Sequence, residues 1–280
     1  MKIGIRLHDT APGTLRERLG FARAQGFCCA HVALSKVLDS FSMQDAPEKL
    51  TKEYAAQVRE DFAETGMDCA VLGCYLNLAD PDAERREKTQ QIYRAHLRFA
   101  SMIGAGVVGT ETYANPESPF AKDAARSEEA FRLFADSLKT VVRYAEEADA
   151  VLAVEPVYHH IISTPERAER MLEAVPSDHL QIILDAVNLI GPEDADRAPE
   201  IIEDAIRRLG DRVRILHMKD FVLLPEGKMN SCACGLGSMR YERLLAFAAE
   251  KDLPMTLENT VPDNAEEARL YLERIAEGLR

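Results

Sequence analysis

The sequence predicts an α/β fold that closes into a single (β/α)8 TIM barrel. Three observations carry this expectation. Eight short apolar runs recur along the chain without polar alternation in their middles, as in strands buried on both faces of a helix-covered parallel sheet. The stretches between them have helical period. The segment after the first run is DTAPGT, not the glycine-rich phosphate turn that a doubly wound open sheet places after its first strand.

The runs are KIGIRLH (Lys2 to His8), CCAHVAL (Cys28 to Leu34), CAVLGCYL (Cys69 to Leu76) and GVVGTE (Gly106 to Glu111). They continue as VLAVEPV (Val151 to Val157), LQIILDA (Leu180 to Ala186), VRILHMKD (Val213 to Asp220) and PMTLEN (Pro254 to Asn259). In the fourth helical stretch Phe131, Phe134, Leu138, Val141 and Ala145 recur at three- and four-residue steps. Thr164 before Pro165 reads as a cap followed by a first-turn proline. Asp263 with Glu266 resembles a capping box, and Gly66, Gly104 and Gly210 read as helix ends. No linker or composition shift divides the chain, so residues 1–280 read as one TIM-barrel domain.

Lysine and arginine number 34, aspartate and glutamate 47, and the formal net charge is −13. That balance opposes phosphate neutralisation, so no nucleic-acid partner is expected. Arg6 and Asp9 interrupt any secretory core at the N-terminus. No uncharged run approaches a membrane span of ~18 residues. The expected setting is cytoplasmic with a small-molecule partner, and a homo-oligomer is left open. The pattern holds no CxxC pair; Cys232 and Cys234 read as a loop pair rather than a redox or metal spot.

In a barrel, chemistry sits at the C-terminal strand ends. Runs five to eight carry Glu155, Asp185, His217 and Glu258 there, successive positions separated by about one βα unit. Taken singly, a strand-end carboxylate is often a helix cap and a strand histidine a core residue. Together, three carboxylates and an imidazole meeting at one mouth repel and are costly to desolvate. A divalent cation resolves this, and an oxygen-rich set with one imidazole suits Mn2+, Mg2+, Co2+ or Fe2+ more than a structural Zn2+.

These residues also carry a family resemblance. EPV at Glu155, LDAVNL from Leu184, HMKDF from His217, the GLG loop at Gly235 to Gly237 and LEN at Glu258 resemble the xylose-isomerase-like barrels, the sugar (phosphate) isomerase/epimerase superfamily. The resemblance implies that Glu155, Asp185, His217 and Glu258 ligate a divalent metal, often Mn2+. In the family's ketose 3-epimerases it further implies that the two glutamates form the acid/base pair. The chemistry agrees: a cation polarises a keto-sugar carbonyl, and one carboxylate on each face removes or returns the adjacent proton through an enediolate. Many members place a histidine three residues after the Asp; here Asn188 stands there, an amide expected to bond substrate. The family also holds lyases and dehydratases of keto-inositols and 3-keto sugars, which remain the alternative.

Further mouth positions expected to bind a polyol are His8, Tyr75, Asn77, Glu111, His160 and Lys219. Of the pair His159 and His160, one is expected at the surface. Lys219 and Asp220 are expected to pair with each other or with Glu111. The GLG loop reads as a plain turn. An endonuclease IV-like nuclease would need extra histidines where Tyr75, Asn77 and Glu111 stand, and a non-catalytic sugar-binding barrel would not need the four ligands intact.

Overall fold

The computed structural model describes residues 1–112 and 126–279. Its parallel strands are β1 (Lys2–Arg6), β2 (Cys29–Val32), β3 (Asp68–Gly73), β4 (Val107–Glu111), β5 (Leu152–Glu155), β6 (Leu180–Asp185) and β7 (Val213–Met218). A hairpin of β8 (Asp220–Leu223) and β9 (Met229–Cys232) follows, then β10 (Pro254–Leu257). The barrel closes in the order β1-β10-β7-β6-β5-β4-β3-β2, and the hairpin lies outside it as an antiparallel pair. The expected (β/α)8 architecture is present, and the hairpin is an addition that the pattern did not announce.

Each barrel strand is followed by a helix of ten residues or more: Leu15–Ala24, Lys52–Thr65, Ala83–Ile103, Glu128–Ala148, Pro165–Ala174, Ala198–Leu209, Glu242–Lys251 and Ala265–Gly278. Local chemistry sets their ends. Thr164 accepts from the Arg167 N–H with Pro165 in the first turn, a cap worth about 1 kcal/mol. Gly66 and Gly104 end their helices at φ +63° and +74°, where a Cβ would be strained. Gly210 also ends its helix, but at φ −55° rather than in the left-handed region, and the chain runs on into a 3-10 turn, Gly210–Arg212. The capping box at Asp263 is also corrected. The helix begins at Ala265 behind Asn264, whose Oδ1 accepts from the Val261 N–H; its side chain serves the preceding turn, as short amides do.

Apolar side chains of the helices, such as Phe131, Phe134, Leu138, Val141 and Ala145, pack against the outside of the barrel. A separate cluster fills the inside: Cys29, Ala70, Val71, Val107, Ala153, Ile183 and Ile215. Because side chains alternate along a strand, two residues further along the same face lie His31, Gly73, Gly109, Glu155, Asp185 and His217. The apolar cluster is therefore the floor of a polar layer at the C-terminal mouth. Register supports the common level: Glu111 pairs with Glu155, Asp185 with His217, and Arg6 with His31.

Several strand ends fall short of expectation, β3 among them, which stops at Gly73 rather than Leu76. β1 ends at Arg6, and His8 lies in the 3-10 turn Leu7–Asp9. β2 ends at Val32, because Leu34–Val37 already coils into a helical turn. Among the described residues no helix is long and apolar enough to cross a membrane.

Candidate active site

Glu155, Asp185, His217 and Glu258 meet at the mouth, all buried. His217 is central: Nδ1 lies 3.1 Å from Glu155 Oε2 and 3.3 Å from Glu258 Oε1. Candidate ligand atoms of Glu155, Asp185 and His217 lie within 4.8 Å of one another, as do those of His31, His217 and Glu258. His217 Nε2 is buried with no hydrogen-bond partner. Buried polar atoms normally have one, so this nitrogen, with the oxygen-rich donor set around it, fits a divalent cation held at this layer.

The carboxylates do not stand alone, however. Lys219 Nζ is 2.9 Å from Asp185 Oδ2 and 3.5 Å from Glu258 Oε2. This corrects the expected pairing of Lys219 with Asp220 or Glu111. Asp220 instead accepts the backbone N–H groups of Phe221, Gly235 and Met239, so it holds the GLG loop as a turn. A Cβ at Gly237 would lie 2.2 Å from the Phe221 carbonyl oxygen, which is why that loop carries glycine.

Burial opposes charge throughout the layer, and the neighbours decide each outcome. Burial would raise Glu258, but His217, Lys219, His31 and Arg6 hold it well below the usual carboxylate range. Burial raises Asp185 to about 6 despite Lys219. His217 resists burial and rises to about 9 between Glu155 and Glu258. Burial next to Glu155 and Glu258 lifts Glu111 to about 8.

The expected substrate contacts divide. A cavity of about 290 Å3 is lined by Arg6, His8, His31, Tyr75, Glu111 and Glu258, among others. His160 is buried with Nδ1 3.7 Å from Glu111 Oε2, while His159 is exposed. Asn188 turns to the carboxylates: its Nδ2 donates to Glu155 Oε1 at 2.5 Å and its backbone N–H to Asp185 Oδ1. Asn77 is not brought to the cavity lining; its Oδ1 accepts from the Ala79 N–H in the loop after β3. Cys232 is partly exposed on β9 and Cys234 is buried; burial raises both thiols. A larger groove of about 660 Å3 lies on the outer face against Ile202, Phe221 and Met239, away from these groups.

Two residues here were not among the expected site positions. Arg6 NH1 lies 3.3 Å from Glu258 Oε2 while its Nε and NH2 engage Asp9. His31 stacks on His217 at 5.0 Å and 13°. Its signal was a histidine amid an apolar run, hidden because the run extends past the true strand end.

The family model of the xylose isomerase-like TIM barrel matches residues 22–276. The chain belongs to this family. Among solved structures it is similar to a D-tagatose 3-epimerase-like protein, with TM-score 0.77, 16% identity, and 100% of this chain and 98% of that one covered. It is similar to the 3-keto-D-glucoside 4-epimerase YcjR from E. coli, at TM-score 0.76, 17% identity and 98% and 99% coverage. It is also similar to the IOLI protein, solved with a zinc atom, at TM-score 0.73, 18% identity and 100% and 98% coverage. At such identities the likeness is one of fold. A search of curated protein sequences finds no match.

Proposed function

We propose that this family member is a divalent-metal-dependent isomerase or epimerase of a keto sugar or related polyol. The observation that carries the reading is the approach of Glu155 and Glu258 to His217 Nδ1, at 3.1 and 3.3 Å, with Asp185 beside them at the mouth of the barrel. Epimerases among the structural neighbours act on keto sugars, and others were solved with zinc or magnesium. Mn2+ is the proposed native ion, with Mg2+, Co2+, Fe2+ and Zn2+ as candidates.

When bound by Glu155, Asp185, His217 and Glu258, the cation supplies polarisation of a substrate carbonyl. The protein's residues do the rest. One glutamate takes the proton from the carbon next to the carbonyl. The other returns a proton on the opposite face, giving an epimer; return to the neighbouring carbon gives an isomer. Arg6 and Lys219 keep Glu258 ionised and hence able to act as base. Asn188 holds the Glu155 carboxylate by its amide. His8, Tyr75, Glu111, His160 and Lys219 are proposed to contact the substrate's hydroxyl groups, and Asn77 to do so from the loop after β3.

Glu111 favours elimination as a second reading. Its carboxyl lies on the cavity wall and burial raises it above the usual carboxylate range, which suits it to donate a proton to a leaving oxygen.

The test is NMR in deuterated water with Mn2+ and a panel of keto sugars, keto-inositols and 3-keto glycosides, recorded after chelation. Deuterium wash-in, epimer, isomer or alkene separates the reactions. Glu258→Gln is expected to abolish wash-in next to the carbonyl. Wash-in at the wild-type rate in that variant refutes the acid/base assignment, and no reaction by the wild-type protein on any member refutes the keto-substrate reading.

A further inference from the structure

We propose that Tyr75 and His31 form a positioning chain for Glu258, in which the phenol fixes the tautomer of His31 and His31 presents its Nδ1–H to one carboxylate oxygen. The functional consequence rests on the reading of Glu258 as a proton-transfer group.

The inner layer is built for this chain. His31 is 2% exposed and sits in that layer between the apolar floor and the cavity. The next two positions around the barrel wall, on β3 and β4, are glycines, Gly73 and Gly109. Tyr75 occupies the space they leave. A Cβ at Gly73 would lie 2.7 Å from the Tyr75 ring and 3.1 Å from His31 Nε2, and one at Gly109 would lie 3.4 Å from the phenol oxygen. The Tyr75 hydroxyl is thereby brought 2.9 Å from His31 Nε2. On the other side of the ring, Nδ1 is buried without a hydrogen bond, 3.5 Å from Glu258 Oε1. Stacking on His217 holds the plane of the ring.

Two tautomers are available to a neutral imidazole, and the partner of one nitrogen sets the state of the other. With the proton on Nε2, the lone pair of Nδ1 would face a carboxylate oxygen. With the proton on Nδ1, the N–H faces that oxygen and Nε2 accepts from the phenol. Only the second arrangement leaves every buried polar atom of the chain with a complementary neighbour. Oε1 then faces His31 beside His217 while Oε2 faces Arg6 and Lys219, so the carboxylate has a defined orientation toward the cavity.

The test uses protein labelled with 15N-histidine, metal-free and loaded with Mg2+. Long-range 1H–15N spectra are assigned with His31→Asn. We expect His31 as a neutral Nδ1–H tautomer with Nε2 as acceptor, and loss of that preference in Tyr75→Phe. An Nε2–H tautomer or an imidazolium in the wild-type protein overturns the proposal, as does an unchanged His31 signal in Tyr75→Phe. On whichever panel sugar shows deuterium wash-in, Tyr75→Phe should lower kcat about tenfold. His31→Leu should lower kcat about 10–100-fold, and His31→Asn, whose amide nitrogen takes the place of Nδ1, should restore most of it. The Mg2+ dissociation constant should stay within about threefold in all variants; loss of metal from His31→Leu would make His31 a ligand and overturn the positioning role. Because the spectra decide the tautomer whether or not any sugar reacts, failure of the keto-sugar reading is distinguishable from failure of the chain.

Discussion

Replacing Lys219 by methionine tests what holds the carboxylates of the inner layer together. Nζ lies 2.9 Å from Asp185 Oδ2 and 3.5 Å from Glu258 Oε2, and Lys219 is only 6% exposed. At an effective dielectric constant of about 20, a unit-charge pair at such a separation is worth about 5–6 kcal/mol. The net loss is smaller, since Asp185 already lies near 6 and takes up a proton once its partner is gone. Breaking one side of a buried pair costs about 3–5 kcal/mol. For a chain of this size that lowers Tm by about 5–9 °C. Methionine keeps the apolar stem, so packing changes little. The assay is thermal unfolding in chelator and in excess Mn2+. The variant should melt well below wild type in chelator and regain more than wild type from Mn2+, because the ion restores the missing positive charge and binding to the native state stabilises it. An equal deficit in both conditions would show that only packing was damaged. No deficit in chelator would show that the carboxylates do not depend on Lys219.

Three further expectations address other parts of the molecule. His217→Ala should weaken Mn2+ binding by at least about tenfold; unchanged metal content by atomic emission removes His217 from the ligand set. His96 is fully buried in the helix Ala83–Ile103, where burial lowers it to about 4. The unfolded chain therefore takes up a proton below about 6.5 that the native state refuses, and stability falls by about 3 kcal/mol as pH drops from 6.5 to 4. His96→Leu should flatten that fall in urea titrations at pH 7 and 4.5, and parallel losses in both proteins would contradict it. Asp220→Ala leaves the N–H groups of Phe221, Gly235 and Met239 without their acceptor and should cost about 1–3 kcal/mol or more. Hydrogen exchange should speed up in residues 233–239, and unchanged protection there refutes the role.

What could be read in advance follows from what periodicity encodes. The closed barrel was legible because strands buried on both faces must be apolar throughout, and seven of the described inner-floor residues are small or β-branched side chains or cysteine. Glu155, Asp185, His217 and Glu258 were legible because each interrupts such a run at its end. His31 and Arg6 interrupt theirs too, yet the apolar pattern runs past them: Leu7 is buried in a 3-10 turn and Leu34 in a helical turn. A buried turn and a buried strand look alike in hydropathy, so the strand ends were placed two residues late. Partner choice was less legible still. Lys219 has Asp220 as its sequence neighbour, but successive residues on an extended chain point to opposite sides. Lys219 therefore turns to Asp185 and Glu258, and Asp220 turns to the loop that closes behind it. The same alternation, counted from the apolar floor rather than from the ends of the runs, selects His31, Glu155, Asp185 and His217 as one level of the barrel, with Gly73 and Gly109 as the gap that Tyr75 fills. For a parallel barrel, the floor is thus the better origin for locating a site, because its level is set by packing and not by where a run of apolar residues stops.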